Sequence, residues 1–321
     1  MGMSIRWFCI GLLVLLVRTN AFTLITFDVD GTLVKGSGQA AAEGAHAKAF
    51  SHAVGSILGD GKPVTPVAES LPVHLYHGST DGLILLRLAK ATLGIDTDVS
   101  YPKLEEMFQC MFDYMASCSD EEIANHIAPL PGVLDQLKQL SGMNDEVMSG
   151  LVTGNVEGIA RLKMRAVGVW DTQALSPPSA MQKSWHGTED ISFLGGFGSD
   201  FCSGNIKDIA RNHLDRGEQI AIATKRCQGL LQDEPAKQLE RVVHVGDAPA
   251  DVLAAKAFSE TLKGDKLCVG MVAVATGSYS AEELKELAGE SIPGKWEPVV
   301  LEDGMNDPNF FTACGVSGAI V

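Results

Sequence analysis

Two aspartates two residues apart, Asp28 and Asp30, follow directly on an apolar, β-branched run at residues 22–27 (FTLITF). Such a run reads as a buried strand. Side chains at i and i+2 share one face, so two carboxylates crowd together at the strand's end. Without a cation their repulsion raises one pKa. With Mg2+ at hand, one carboxylate can attack phosphorus while the other handles the proton of the leaving group. Asp and Gly are also common turn formers, so Asp-x-Asp-Gly-Thr alone fits an ordinary turn as well.

Two further strand ends and a basic residue add to this. Residues 147–152 read as a strand ending in Thr153-Gly154-Asn155, and residues 242–245 as one ending in Gly246-Asp247, with Asp251 four residues on. Three basic residues between them compete for one place near the carboxylates: Lys207, Arg216 and Lys225. This order of motifs resembles the haloacid dehalogenase superfamily of phosphohydrolases, from Phe22 to about Leu301. His77-Gly78-Ser79-Thr80-Asp81-Gly82, Leu130-Pro131-Gly132-Val133, Gly195-Gly196-Phe197-Gly198-Ser199-Asp200 and Ala275-Thr276-Gly277 resemble its phosphoglycolate-phosphatase-like members.

The resemblance implies a role for each residue. Asp28 is the nucleophile and Asp30 the general acid and base; the superfamily's carbon–halogen hydrolases lack an aspartate at the second position. Thr153 donates its hydroxyl to a phosphate oxygen, and Gly154 and Asn155 offer backbone N–H groups at a helix start, a natural anion site. Gly31 and Thr32 play a similar part, glycine allowing the sharp turn. Mg2+ takes hard oxygen ligands: Asp28, the carbonyl of Asp30 and Asp247. Asp251 is either an outer partner of the metal or simply an acidic residue at a helix start. Among the basic residues Arg216 is favoured, because it is expected to begin a helix at 216–226. Lys225 then lies roughly 13 Å further along the axis, and Lys207 falls in an apparent inserted loop. Ser79 or Thr80 is expected to cap the next helix, His77 is a weaker idea as a substrate contact, and Arg87 and Lys90 read as solvated helix residues.

The elements that must hold these residues define an α/β fold: a doubly wound, mostly parallel sheet of the HAD-like, Rossmann type, with an inserted helical cap. Strands are expected near 23–28, 147–152, 191–197, 242–246 and 268–275, and helices at 132–141, 156–167, 216–226, 249–258 and 280–288. Residues 28, 30, 153 and 247 then fall at or just after strand ends, where ligands collect in such sheets. Residues 22–35 and 131–304 form the core and 305–321 a tail. Residues 36–130 form the cap, with helical patterns at 40–58, 80–93, 102–116 and 120–127. Gly36-Ser37-Gly38 and Pro129-Leu130-Pro131-Gly132 serve as hinges. Residues 172–190 and 201–214 read as added, solvated loops.

Composition bounds the rest. The chain has 321 residues, enough for a sizeable core. A formal net charge of −15 argues against nucleic acid or anionic lipid as a partner. It is compatible with a small phosphorylated metabolite, since a bound cation and local donors invert the sign within one pocket. The seven cysteines form no Cys-x-x-Cys pair and read as free thiols. Residues 7–17 (WFCIGLLVLLV) are too short for a comfortable membrane span and suit the apolar part of a signal peptide occupying residues 1–21. The expected location is the secretory pathway or an organelle, with a membrane-anchored or cytoplasmic chain as the alternatives. The expected function is a Mg2+-dependent phosphatase of a small, phosphoglycolate-like metabolite. The alternatives are a sugar-phosphate phosphomutase and a non-catalytic metabolite-binding protein.

Overall fold

The computed structural model describes residues 20–36, 43–175, 194–232, 234, 237–262 and 266–316. Eight strands occur among them: β1 Asn20–Phe27, β2 Val34–Gly36, β3 Ile127–Pro129, β4 Val147–Thr153, β5 Gly195–Phe197, β6 Lys237–Gly246, β7 Cys268–Val274 and β8 Trp296–Leu301. Six form one sheet in the order β5-β4-β1-β6-β7-β8. All of its pairings are parallel. The expected α/β class with a parallel sheet is therefore observed. Residues 1–19 of the expected signal peptide and the stretch 176–193 lie outside the described residues; Asn20 and Ala21, assigned to the same peptide, are the first residues of β1.

The inner strands are continuous apolar runs because helices cover both faces of the sheet. Along β1, Phe22 and Leu24 enter one apolar cluster with Ile220, Ala223, Val252 and Phe258. Ile25 and Phe27 enter the opposite one with Val133, Leu137, Met164 and Phe310. Each such fully buried side chain contributes about 1.5–3 kcal/mol of hydrophobic stabilisation. The covering helices are α8 Val133–Leu140, α9 Glu157–Ala166, α10 Arg211–Leu231, α11 Pro249–Thr261, α12 Ala281–Ala288 and the short α13 Phe310–Ala313.

Between β2 and β3 lies a helical insert: α1 Ala45–Leu58, α2 Val67–Ser70, α3 Val73–Tyr76, α4 Asp81–Leu93, α5 Thr97–Ser100, α6 Leu104–Ser117 and α7 Asp120–Ala124. Thr80 caps α4, its hydroxyl accepting from Leu83 N at 3.4 Å. Helix α7 starts with a capping box between Ser119 and Glu122. The insert has its own apolar cluster, to which α9 adds Val156, Ile159 and Leu162. Helix α9 thus packs on the sheet with one side and on the insert with the other.

Several expectations need correction. Strand β8 was not foreseen, and β6 starts five residues early, at Lys237. Helix α10 starts at Arg211, so Arg216 lies in its second turn and does not begin it. Of the stretches expected as hinges, Gly36 and Pro129 sit at opposite ends of the antiparallel ribbon β2–β3, paired with Ile127 and Val34, while Ser37 and Gly38 lie outside the described residues. The segment 201–214 is only partly a solvated loop: residues 205 and 207–209 are exposed, but its two ends dock on the insert. Tyr101 donates its hydroxyl to Cys202 O at 3.0 Å, and the buried Asn212 joins the insert. Arg87 is not solvated either: it is 4% exposed. It donates to Leu75 O, to Ser79 Oγ at 3.0 Å and to Asn212 Oδ1 at 3.0 Å. Only Lys90 behaves as a surface residue, half exposed and paired with Asp96.

Candidate active site

The C-terminal ends of β1, β4 and β6 meet beneath the insert, and the sheet there delivers Asp28, Thr153 and Asp247 to one place. A cavity of about 170 Å3 opens at these ends. Its walls include Asp28, Asp30, Asn155, Arg216 and Asp247 from the core and His46, Tyr76 and His77 from the insert.

Asp28 is buried and anchored by its backbone N–H to Val245 O at 2.9 Å. Its Oδ1 accepts from Arg216 Nη1 at 2.7 Å. The same nitrogen reaches Asp251 Oδ1 at 2.9 Å and Val152 O at 3.3 Å. Of the three basic contenders, Arg216 is the one at the carboxylates. Lys207 is exposed on the loop before α10, and Lys225 sits nine residues further along that helix.

Asp28, Asp247 and Asp251 each offer an oxygen within 4.8 Å of the others, and all three are buried. Burial pushes the Asp28 carboxyl up to about 6, against the pull of Arg216. Asp247 is pushed well above the usual carboxylate range by burial and then by Asp251 and Asp28. Asp251 stays below that range: burial acts upward on it, but Arg216 and His244 outweigh it. Its oxygens are already engaged. Oδ1 lies 3.3 Å from His244 Nε2 besides Arg216, and Oδ2 accepts from Ala248 N at 3.1 Å. Asp251 therefore does serve the start of α11, and it also braces Arg216.

Asp30 turns the other way. Lys163 Nζ donates to its Oδ1 at 2.9 Å and its Oδ2 at 2.7 Å, and Asn155 Nδ2 donates to Oδ2 at 3.0 Å. Desolvation acts upward on this carboxyl; the Lys163 ammonium, His46 and these hydrogen bonds outweigh it and hold it near 2. Lys163 escaped the sequence reading. A signal was present: with Val156, Ile159 and Ala160 it occupies an i, i+3, i+4, i+7 stripe, where a solvated lysine does not belong. His244 and His46 were likewise not singled out. His46 Nε2 lies 3.2 Å from Asp81 Oδ2, which also accepts from Val156 N at 2.8 Å.

The residues expected on the phosphate side make contacts within the protein. Thr32 donates to Asp247 Oδ1 at 3.3 Å. Gly31 N donates to Val34 O at 2.7 Å. Gly31 has φ +94°, and a β-carbon there would collide with the Asp247 carboxylate, as would one on Gly277. Thr153 Oγ1 accepts from Asn155 N at 3.4 Å and Asn155 Nδ2 at 3.2 Å, leaving its proton to donate elsewhere. Gly154 O accepts from Asp81 N at 2.8 Å, joining this strand end to α4.

A divalent cation suits this donor set. Asp28, Asp30, Asp247 and Asp251 are four carboxylates, and Arg216 and Lys163 are their two cationic partners. Fully ionised, they leave two negative charges, the complement of one divalent ion. Asp247, raised by burial and by Asp251 and Asp28, is where that charge is least compensated.

Over residues 22–259 the chain matches the haloacid dehalogenase-like hydrolase family, and it belongs to that family of hydrolases. No curated protein gives a significant match. Among solved structures it is similar to CbbY from Rhodobacter sphaeroides in complex with phosphate, at 16% identity, 91% of this chain, 99% of that one and a TM-score of 0.48. It is similar to a predicted phosphoglycolate phosphatase from Haemophilus somnus, at 16% identity, 80% and 86% coverage and a TM-score of 0.41. It is also similar to an archaeal beta-phosphoglucomutase from Pyrococcus, at 15% identity, 80% and 88% coverage and a TM-score of 0.33.

Proposed function

We propose that the protein is a Mg2+-dependent phosphatase of a small phosphorylated metabolite, acting through a phosphoryl group held on Asp28. The observation that carries this reading is Asp28 itself: a buried carboxylate held by Arg216 at 2.7 Å, beside Asp247 and facing the cavity. Membership of a hydrolase family supports it.

Asp28, the carbonyl of Asp30 and Asp247 would hold the cation, with Asp251 behind Arg216. Once bound it supplies positive charge between two groups that otherwise repel, the nucleophile and the phosphate. The chain's own residues do the rest. Asp28 forms a bond to phosphorus as the bond to the leaving oxygen breaks, and that oxygen takes its proton from Asp30. Asp30 is ionised at rest; a dianionic phosphate arriving beside it raises its proton affinity, and it takes the proton it must carry from solvent as the substrate binds. Asp30 next takes a proton from water; that water's oxygen bonds phosphorus, the bond to Asp28 breaks, and phosphate leaves. Arg216 balances the charge at Asp28, and Thr153 offers its hydroxyl proton to a phosphate oxygen. The helical insert acts as a cap over the cavity, limiting bulk water during the chemistry.

A panel of metabolite phosphates, assayed with Mg2+ and with chelator, tests the reading. Release of inorganic phosphate that requires Mg2+ is expected. Release undiminished by chelator, or isomerisation of a glucose phosphate without release, would overturn it.

A further inference from the structure

We infer that Lys163 is a positioning residue for Asp30, fixing the carboxyl group that must meet the leaving oxygen; the inference rests on the hydrolytic reading above. Lys163 contacts both oxygens of Asp30, at 2.9 and 2.7 Å, in a geometry that leaves the carboxylate one orientation. Asn155 holds Oδ2 from a second direction at 3.0 Å. Asp30 and Asn155 line the cavity, and Lys163 does not. Whatever Lys163 does for a substrate therefore passes through Asp30.

The asymmetry of the pair argues against a merely structural bridge. The lysine side chain is 3% exposed and the aspartate 47%. Burying an ammonium is costly, and an ion pair whose acidic end faces water recovers little of that cost. The arrangement makes sense if the exposed end has work in the cavity. Helix geometry explains how the ammonium gets there. Lys163 lies six residues beyond Glu157, the first residue of α9, so roughly 9 Å along the axis. Helical side chains lean toward the N-terminus, and the long stem reaches back to the level of the strand ends. Its helix neighbours Ala160 and Met164 belong to the apolar cluster on the sheet side, and Ile159 and Leu162 to that of the insert. Helix α9 also follows directly on Thr153-Gly154-Asn155. One rigid element therefore sets both the phosphate-side residues and the carboxyl group on the leaving side.

The test uses the full chain with Mg2+ and two substrates: an alkyl phosphate, whose leaving group needs a proton, and p-nitrophenyl phosphate, whose leaving group scarcely does. Lys163→Met should lower the rate of leaving-group release in the first turnover about 10- to 100-fold on the alkyl phosphate, the scale of misplacing a catalytic group by about 1 Å. On p-nitrophenyl phosphate that first-turnover loss should stay within about threefold, with half-saturation of the same phase within about twofold of wild type on both substrates, since the nucleophile and phosphate contacts are kept and the later water step does not enter this readout. Asp30→Asn should show the same pattern, Lys163→Arg should recover part of the loss, and the Asp30→Asn/Lys163→Met double variant should be no slower than Asp30→Asn alone. Equal loss on both substrates, an effect on half-saturation alone, or losses that add in the double variant would overturn the inference. If Lys163→Met does not fold, the double variant, which lacks both charges, is compared with Asp30→Asn and decides by the same criterion. Asp28→Asn separates the two claims. If it is inactive on both substrates and Lys163→Met fails its pattern, the inference alone falls. If Asp28→Asn stays active, the hydrolytic reading falls and takes the inference with it.

Discussion

At the level of single residues, the site gathers four carboxylates, Asp28, Asp30, Asp247 and Asp251, around two cationic side chains, Arg216 and Lys163. Asp28 and Asp247 have folded pKa values above the ordinary 3.8, Asp28 near 6. A carboxyl raised on folding favours the folded state at low pH, and that stability is lost as pH rises through the folded value. Metal-free protein should therefore melt higher at pH 5 than at pH 7. Asp30, held near 2, loses its contribution only below that window. Added Mg2+ should raise the melting temperature at pH 7, and by less at pH 5, as thermal melts in buffers of constant ionic strength would show. A metal-free melt that falls from pH 7 to pH 5 would contradict this. Asp247→Asn removes the least compensated charge. It should raise the metal-free melting temperature at pH 7, abolish the Mg2+ shift and abolish turnover. Arg216→Ala should do the reverse to stability. It strands Asp28 and Asp251 without their shared cation, a change that costs about 3–5 kcal/mol in buried pairs. Chemical denaturation would check that loss. The aspartates were legible because their spacing and the strand before each gave them away. Lys163 and Arg87 were not, since a basic residue on a helix is read as solvated unless the apolar stripe beneath it is traced.

At the level of elements, strand ends place the chemistry and helices hold it. Strands β1, β4 and β7 were legible as continuous apolar runs. Strand β8 was not: it is an edge strand buried only at its two ends, Trp296 and Leu301, and it carries Glu297 and Pro298. A proline demotes an inner strand, whereas an edge tolerates it. The start of α10 was misread because Arg211 and Asn212 look like loop residues in sequence. In the fold Arg211 pairs with Asp215 one turn on, and Asn212 accepts from Arg87 and from Ser79 Oγ at 3.1 Å. Asn212 also donates to His74 O at 3.3 Å, so it joins α10 to the insert beside the cavity. Asn212→Ala leaves the buried Arg87 short of an acceptor. It should cost about 1–3 kcal/mol, read as a lower denaturation midpoint, and speed hydrogen exchange of α4 amides. Unchanged exchange in α4 would show that this contact does not tie the insert to α10.

At the level of the whole molecule, two apolar clusters flank one parallel sheet, and a third is shared between α9 and the helical insert. Among the described residues no helix is long and apolar enough to cross a membrane. The fold class was readable from motif order, because a parallel sheet brings its strand ends to one edge. Within 201–214 the contacts of Cys202 and Asn212 were not legible, because their partners, Tyr101 and Arg87, lie a hundred residues or more away in the insert. The molecule has one central claim, that Asp28 carries the phosphoryl group. Asp30→Asn should slow the water step enough for that species to accumulate. The direct measurement is mass spectrometry of this variant, mixed with Mg2+ and p-nitrophenyl phosphate, quenched in acid and digested. The account predicts one added phosphoryl group on the peptide containing Asp28, absent when Asp28→Asn is also present. An added phosphoryl group on His46 or any other residue, or phosphate released in the burst with Asp28 never modified, would contradict it.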